Sequence, residues 1–318
     1  MKNALTTLIR IIPFIVLAFY HAPSCIAGEN PAGRTLSVFV SIPPQQYFVE
    51  KIGGAHVRVS SMVSPGANPH TYEPKPKQMS ALSKATVYFA AGVPFETVWL
   101  KKFASVNPKM HIIHTDAGIE KISMESHHHD GENPSLSRRQ GKEDHDEILH
   151  GKDGKQEMDP HTWLAPPLAK IHIRNILHGL IEADPLKKAD FEINYQSLLK
   201  EIEEVDAELR DLFSGSGKNA KFMVFHPAWG YFAKAYGLTQ ISVEMEGKEP
   251  KPGDLKRLIR HAKEERIKVI FVQRQFSAKS AEVIAHNIGG TISVTDPMAF
   301  EWSENLRETA KKFREALR

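Results

Sequence analysis

The sequence predicts an α/β protein with two (β/α) lobes, mainly parallel sheets, and one long backbone helix that joins them. Short runs of β-branched and aromatic residues alternate with amphipathic stretches, a pattern typical of βα units around a parallel sheet. The alternation occurs twice along the 318 residues. The longest helical pattern of the chain lies between the two sets.

The first set of predicted strands begins near residue 35 and comprises TLSVFVSI, HVRVSSMV, TVYFAAG and MHIIHTD, with helical patterns over 75–85 and 95–106. The second set comprises KFMVFHP, LTQISVEM, KVIFVQRQF and GTISVTDP, with helical patterns near 251–268 and 277–288. We therefore predict an N-terminal lobe over residues 34–184 and a C-terminal lobe over residues 218–318.

The predicted linking helix covers residues 185–214. Asp184 and Pro185 are suited to the N-cap and the first turn, and Gly215 or Gly217 to the end. Apolar residues recur at steps of four and three and form one stripe: Phe191, Tyr195, Leu198, Ile202, Val205, Leu209 and Leu212. A helix packed across both lobes in this way restricts them to small opening motions.

Residues 1–27 have the features of a signal peptide. Lys2 and Arg10 give a basic start, about ten apolar residues follow, and small residues precede the predicted cleavage after Ala27. The apolar run is shorter than the roughly 20 residues that span a bilayer. We therefore expect an exported, periplasmic protein.

The single cysteine, Cys25, lies inside that segment. Cleavage after Ala27 would leave no disulfide and no thiolate chemistry in the mature chain. Cleavage before Cys25 would allow a lipid anchor, which is the less favoured alternative because the preceding residues are a poor lipidation context.

Charge and motifs exclude several classes of partner. The formal net charge is only +3 and the basic residues form no blocks, so the chain is not built to bind nucleic acid. The sequence also contains no glycine-rich phosphate loop, which argues against nucleotide binding.

A polar segment at about residues 122–157 interrupts the first set. It is rich in charge, Gly, Ser and His and has few apolar residues, so we predict a disordered His-rich loop. Its histidines form a candidate auxiliary metal site, although a solvated insertion that merely contains histidines remains the alternative. These residues are His127, His128, His129, His145 and His150.

Four other residues are candidate ligands of a fixed metal site: His70, His161, His226 and Asp296. They occur in NPH, DPH, FHP and TDP, at the ends of predicted strands or in the loops that follow. Ligands of open α/β sheets bind at the carboxyl ends of the strands. Three imidazoles and a carboxylate suit Zn²⁺ best, although Cu²⁺ or Ni²⁺ would also bind.

Neighbouring residues have candidate supporting roles. Glu73 follows His70 by three residues and is a candidate hydrogen-bond acceptor that would fix the tautomer of a ligand histidine. A plain surface role in a proline-rich turn is the alternative for Glu73. Trp163, Trp229 and Tyr231 are candidate walls of the pocket.

Five stretches of the chain carry a family resemblance: PGANPHTYEPKPKQM, MDPHTWLAPP, FHPAWGYFAKAYGL, EGKEPKPGDLKRLI and GGTISVTDP. Over about residues 36–312 the chain resembles the zinc and manganese substrate-binding proteins of bacterial ABC transporters, the ZnuA/TroA-like group. The resemblance implies two lobes, a long backbone helix, and one Zn(II) ion as the transported ligand, delivered to the membrane permease of a zinc ABC transporter. We expect a monomer.

By motif, the resemblance implies that the four candidate residues are the metal ligands. The histidine at position 226 implies zinc rather than manganese or iron. Two departures from the family pattern occur: the stretch 272–275 lacks the frequent acidic residue and proline, and Ala165 replaces a frequent aspartate. We expect neither departure to touch a proposed ligand, so that permease docking or lobe contacts would be affected instead.

Other functions remain open at this point. The chain could be a manganese- or iron-binding transport protein of the same family, or a zinc reservoir or adhesin whose loop histidines are the main site. A zinc hydrolase is less favoured because the sequence has no HExxH motif and offers four candidate ligands rather than three. Imidazole ligation also predicts that metal affinity weakens as the pH falls through roughly 6.5.

Overall fold

The computed structural model describes residues 35–124, 158–217, 219–244 and 248–317. Two four-stranded sheets, each with all strands parallel, make up its framework. The first contains β1 (Leu36–Val40), β2 (Val57–Ser61), β3 (Val87–Ala90) and β4 (His111–His114). The second contains β5 (Ala220–Val224), β6 (Leu238–Ser242), β7 (Val269–Val272) and β8 (Thr291–Val294).

The two sheets have the same topology. Their strand orders are β2-β1-β3-β4 and β6-β5-β7-β8, so the first strand of each set lies inside the sheet and pairs with the second and third. The predicted α/β class with two parallel-sheet lobes is confirmed. The boundaries predicted for the lobes stay a prediction.

Nine helices flank the sheets within the described ranges: α1 (Pro43–Gly53), α2 (Pro76–Leu82), α3 (Glu96–Val106), α4 (Pro166–Ala183), α5 (Lys188–Ser214), α6 (Gly230–Ala235), α7 (Pro252–Glu264), α8 (Lys279–Ile288) and α9 (Trp302–Ala316). Those predicted between strands correspond to α2, α3, α7 and α8. Several begin with proline at the first position, where the missing N–H has no helical partner to lose.

The long helix starts and ends where its capping residues predict. Asp184 accepts a hydrogen bond from the main-chain N–H of Leu186 at 3.2 Å and caps a 3-10 turn over Pro185–Lys187. From there α5 continues to Ser214, with Gly215 as its C-cap. Five of the seven residues of its predicted apolar stripe are buried, whereas Tyr195 and Leu212 are half-buried. The helix packs against α1, α4 and α9.

Helix α9 connects the two halves of the molecule. Trp302 at its start packs against Phe48 of α1, with 5.2 Å between ring centroids. Phe313 near its end stacks on Phe222 of β5 at 4.3 Å and meets Phe271 of β7 at 4.6 Å. One large apolar core therefore runs from the first sheet through α5 and α9 into the second sheet, and a smaller core lies on the other face of the second sheet.

The predicted signal peptide lies outside the described residues, as do positions 125–157 of the predicted His-rich loop. The two ends of that loop are described. Ser123 forms an antiparallel bridge with Met158, and the N–H of Asp159 donates to the carbonyl of Ile122 at 2.9 Å. None of the described helices is both long and apolar enough to cross a bilayer.

Candidate metal centre

Three histidines meet between the two lobes. The structure brings ring nitrogens of His70, His161 and His226 within 4.8 Å of one another. His70 lies in the loop between β2 and α2, His161 lies just before the turn that leads into α4, and His226 follows β5. Two of these ligand candidates therefore come from the first lobe and one from the second.

Asp159 orients His161. Its Oδ1 accepts hydrogen bonds from the main-chain N–H of His161 at 2.9 Å and from Nδ1 at 2.8 Å. A carboxylate only accepts, so the proton of the neutral imidazole sits on Nδ1. The Nε2 lone pair of His161 is thereby left for another partner.

Glu244 orients His226 in the same way, with 2.6 Å between Oε2 and Nδ1. Both side chains are almost fully buried. Phe276 stacks on the imidazole at 4.5 Å between centroids and 18° between planes. The ring of His226 is thus fixed by a hydrogen bond at its edge and by an aromatic face.

Two imidazole nitrogens of this site are buried and lack a hydrogen-bond partner among the described residues. Nε2 of His70 and Nε2 of His226 are buried and make no hydrogen bond within the described part of the chain. Such atoms are costly unless they are paired. Burial, together with the neighbouring His226 and His161, lowers the pKa of His70 to about 3. Burial also lowers the pKa of His226. Neutral imidazoles with free Nε2 atoms fit the donor set of a zinc site.

The predicted carboxylate ligand, Asp296, is not part of this group of three. It follows β8, and its Oδ1 accepts hydrogen bonds from the N–H of Met298 at 2.9 Å and from Nε2 of Gln275 at 3.2 Å. Its other oxygen, Oδ2, makes no hydrogen bond with the described residues. The structure therefore unites three of the four candidate ligands, and Asp296 is not among them.

The expectation that the departure at 272–275 touches no proposed ligand is wrong. Gln273 accepts from the N–H of His226 at 3.2 Å and donates to its carbonyl at 2.9 Å. Nε2 of Gln275 donates a hydrogen bond to Oδ1 of Asp296 at 3.2 Å. The strand order explains both contacts, because β7 lies between β5 and β8 and its carboxyl end adjoins both of their carboxyl ends.

Glu73 is exposed, and no hydrogen bond of the described residues joins it to His70. Asp159 and Glu244 hold the imidazoles instead. Sequence reasoning missed both, although signals existed: Asp159 stands two residues before His161, and Glu244 follows a predicted strand, as the ligand candidates do. The side chain of Asn68 holds the main chain of His70, since its Oδ1 accepts a hydrogen bond from the N–H of His70 at 2.8 Å.

Two indoles close the lobe interface beside the site. Nε1 of Trp163 donates to the carbonyl of Pro297 at 2.9 Å, and Nε1 of Trp302 donates to the carbonyl of Trp163 at 2.7 Å. Trp163 also lies against His161, with 5.3 Å between centroids. Trp163, predicted as a wall of the pocket, therefore packs against His161 and also joins the two lobes through Pro297.

A buried polar network supports the first lobe behind His161. Nε2 of His172 on α4 lies 2.8 Å from the hydroxyl of Thr162, and Nδ1 lies 2.8 Å from that of Thr115. Nε2 of Gln45 donates to the same Thr115 hydroxyl at 2.8 Å. This network ties α1, α4 and the end of β4 to the residue that follows His161.

Comparison with protein families gives one match over most of the chain. The model described as "ZnuA: Zinc-uptake complex component A periplasmic" matches residues 38–316.

Two curated proteins are similar over long alignments. The high-affinity zinc uptake system protein ZnuA of Bacillus subtilis is 26% identical over 288 residues, which are 90% of this chain and 85% of that protein. Zinc-binding protein AdcA of Streptococcus pyogenes is 26% identical over 289 residues, or 89% of this chain. The alignment covers only 54% of AdcA, so the chain spans about half the length of that relative.

Solved structures share the fold. A crystal structure of ZnuA is 41% identical with a TM-score of 0.78, and the match covers 89% of this chain and 100% of that chain. A deletion mutant of ZnuA with zinc bound is 40% identical with a TM-score of 0.76, covering 89% of this chain and 98% of that chain. The laminin-binding protein Lmb of Streptococcus agalactiae, at 22% identity and a TM-score of 0.73, shares the fold alone; it covers 90% of this chain and 100% of that chain.

Proposed function

Because the chain belongs to the ZnuA family of periplasmic zinc-uptake components, we propose that it captures Zn²⁺ at His70, His161 and His226 and delivers the ion to an ABC-transporter permease. Family membership makes the chain a metal-binding transport protein rather than an enzyme, with zinc as the transported ion. The ligand residues, the delivery step and the permease are the proposed parts.

One observation carries the assignment of the ligands. The buried Nε2 atoms of His70 and His226 have no hydrogen-bond partner among the described residues, and ring nitrogens of the three histidines lie within 4.8 Å of one another. Across the same space, Asp159 holds His161 so that its Nε2 is free. A zinc ion would satisfy all three lone pairs at once, which supports a closed site for the ion.

Asp296 is the proposed fourth ligand. Its Oδ1 is occupied by the hydrogen bonds from Met298 and Gln275, whereas Oδ2 has no partner among the described residues. The carboxylate would complete a tetrahedral set from the second lobe. The variant Asp296→Asn, which keeps the shape and removes the charge, should then weaken zinc binding.

Delivery follows from the same arrangement. Since ligands come from both lobes, moving the lobes apart separates His226 from His70 and His161 and releases the ion. We propose that a membrane permease promotes this step, and that the chain acts as a monomer in the periplasm after loss of residues 1–27. The loop histidines, such as His128, would collect zinc near the closed site.

A competitive zinc titration of residues 28–318 tests the proposal. We expect one tight site in the wild type, absent in His226→Ala, and weaker sites in both proteins. His286→Ala, which removes an exposed histidine of α8, should retain the tight site. Weak sites alone, unchanged in His226→Ala, would contradict the proposal and favour a zinc reservoir.

Delivery needs its own measurement. Zinc uptake should be followed in membrane vesicles that contain the permease, with wild-type protein or His226→Ala outside. We expect uptake with the wild type only. Uptake that does not depend on the added protein would remove the transport role and leave a metal-binding protein.

A further inference from the structure

One phenol hydroxyl lies where both ends of the His-rich insertion meet the second lobe. Tyr231, on α6, is 4% exposed. Its hydroxyl accepts a hydrogen bond from the N–H of Ile122 at 3.0 Å and donates one to the carbonyl of Asp159 at 2.9 Å. Ile122 lies at the start of the insertion and Asp159 follows its end. Tyr231 thus binds one main-chain group at each end.

The two ends are also bonded to each other. The N–H of Asp159 donates to the carbonyl of Ile122 at 2.9 Å, and Ser123 bridges Met158. The two paired ends therefore present one donor, the N–H of Ile122, and one acceptor, the carbonyl of Asp159, to Tyr231 at a fixed spacing. The contact needs only the described ends of the insertion.

From Asp159 the connection continues into the metal centre. The main chain of Asp159 is held by Tyr231, and its carboxylate is held by the N–H and Nδ1 of His161. Asp159 is 2% exposed and His161 is 3% exposed, so water cannot easily replace either bond. A shift of the Asp159 main chain must therefore move the imidazole as well.

The first residue of α6 also packs against this aspartate. A Cβ atom added to Gly230 would lie 2.9 Å from Oδ2 of Asp159, closer than ordinary van der Waals contact. The segment that begins at His226 and reaches Tyr231 thus carries both the imidazole of the second lobe and the residues that hold Asp159.

We propose that Tyr231 is a positioning residue for zinc capture. Its hydroxyl fixes the main chain of Asp159 across the lobe interface, and Asp159 in turn aims Nε2 of His161 at the other two imidazoles. The inference rests on the proposed function, because it concerns the same zinc site.

The test is a zinc-affinity cycle on the exported chain, residues 28–318, with Zn²⁺ as the probe. Removal of a residue that orients a metal ligand typically weakens binding by about 10–100-fold, which we expect for Asp159→Asn. For Tyr231→Phe, one step further away, we expect a Kd raised about three- to tenfold. In the Asp159→Asn background, Tyr231→Phe should add less than about a factor of two, because residues of one network are not additive.

Tyr236→Phe is the matched control. Tyr236 follows the same helix, and its buried hydroxyl donates to Oδ1 of Asp206 at 3.0 Å, away from the three imidazoles. Both tyrosine variants should lower the melting temperature of the metal-free protein by similar amounts. Only Tyr231→Phe should reduce the further rise that zinc produces. Gly230→Ala, which displaces the Asp159 carboxylate and keeps the phenol, should also raise the Kd.

The outcomes separate the two proposals. An unchanged Kd in Tyr231→Phe, an equal loss in Tyr236→Phe, or a full additive loss in the Asp159→Asn background would overturn the role of Tyr231. In each case, a tight wild-type site that disappears in His226→Ala would still uphold the proposed function. A wild type without a tight site would remove both.

Discussion

The Nδ1 atom of His226 lies 2.6 Å from Oε2 of Glu244, and both side chains are almost fully buried. The two residues follow the ends of the neighbouring parallel strands β5 and β6. Val224 of β5 pairs with Ser242 of β6, so positions two residues beyond each partner meet at the sheet edge. The pair fixes the imidazole with its Nε2 towards the metal centre.

Replacement of Glu244 by Gln should weaken zinc binding by about 10–100-fold, because the charged acceptor that orients His226 is lost. The measurement is a competitive zinc titration at neutral pH. Glu282→Gln, which removes one exposed negative charge from α8, should leave the Kd unchanged. Equal affinities for Glu244→Gln and the wild type would show that the hydrogen bond does not control the ligand.

Zinc affinity should persist to a lower pH than it would at a site of three free imidazoles. Ligand histidines must be neutral, and burial together with the neighbouring histidines lowers the pKa of His70 to about 3. A lowered pKa keeps the neutral form at lower pH, so proton competition at this residue begins below the roughly 6.5 expected from sequence. Zinc titrations between about pH 7 and pH 5 measure this. A loss that starts near pH 6.5 and is as steep as three free imidazoles would give would contradict it.

The metal-free protein should lose stability as the pH falls from about 6.5 to about 4, partly through His172. Complete burial lowers the pKa of His172 to about 4 in the folded state. In the unfolded chain, the pKa of this histidine is about 6.5. Between these values the unfolded state binds more protons, so the free energy of unfolding falls with falling pH. Above that window both states are neutral and the contribution is constant.

The check is thermal unfolding of His172→Gln at about pH 7 and about pH 5. We expect a smaller drop in melting temperature between the two pH values than in the wild type, even if the variant is less stable at both. His286→Gln, at an exposed position of α8, should show the wild-type drop. An identical drop in His172→Gln would exclude His172 as a source of the acid sensitivity.

Gly179 in α4 should not tolerate a side chain. A Cβ atom there would overlap Cδ1 of Ile113 and Cε1 of Phe89 beneath the helix. We expect Gly179→Ala to cost about 1–3 kcal/mol of unfolding free energy through overpacking, despite the better helix propensity of alanine.

Gly253 in α7 is the matched control for this substitution, since an added Cβ meets nothing within 4 Å. Gly253→Ala should be neutral or stabilise by up to about 1 kcal/mol. Urea unfolding measures both variants. A neutral Gly179→Ala would mean that the side chains of Ile113 and Phe89 can move aside without loss of stability.

Much of the fold was predictable from hydrophobic periodicity. The eight strands and the long helix were found because their patterns are local. The histidines could also be found, since each lies near the end of a predicted strand or beside a proline. The partner Glu244 could not be paired with His226, because that pairing depends on strand order and register. Asp159 precedes His161 by two residues, so its pairing is local and the spacing was an available signal.

The same reasoning explains the position of Asp296. Strand β8 is separated from β5 by β7, so Asp296 adjoins Gln275 and not His226. The register of β7 places Phe271 opposite Val224, which brings Gln273 level with His226. Strand order of this kind is a long-range property that a local pattern does not encode.

The continuous core has a consequence for the cooperativity of the molecule. Because α5 and the aromatic residues of α9 belong to the same core as both sheets, neither half can lose its packing without exposing apolar surface of the other. We expect the chain to melt as one thermodynamic unit rather than as two independent modules. A protease cut between the halves would then release fragments that cannot refold alone.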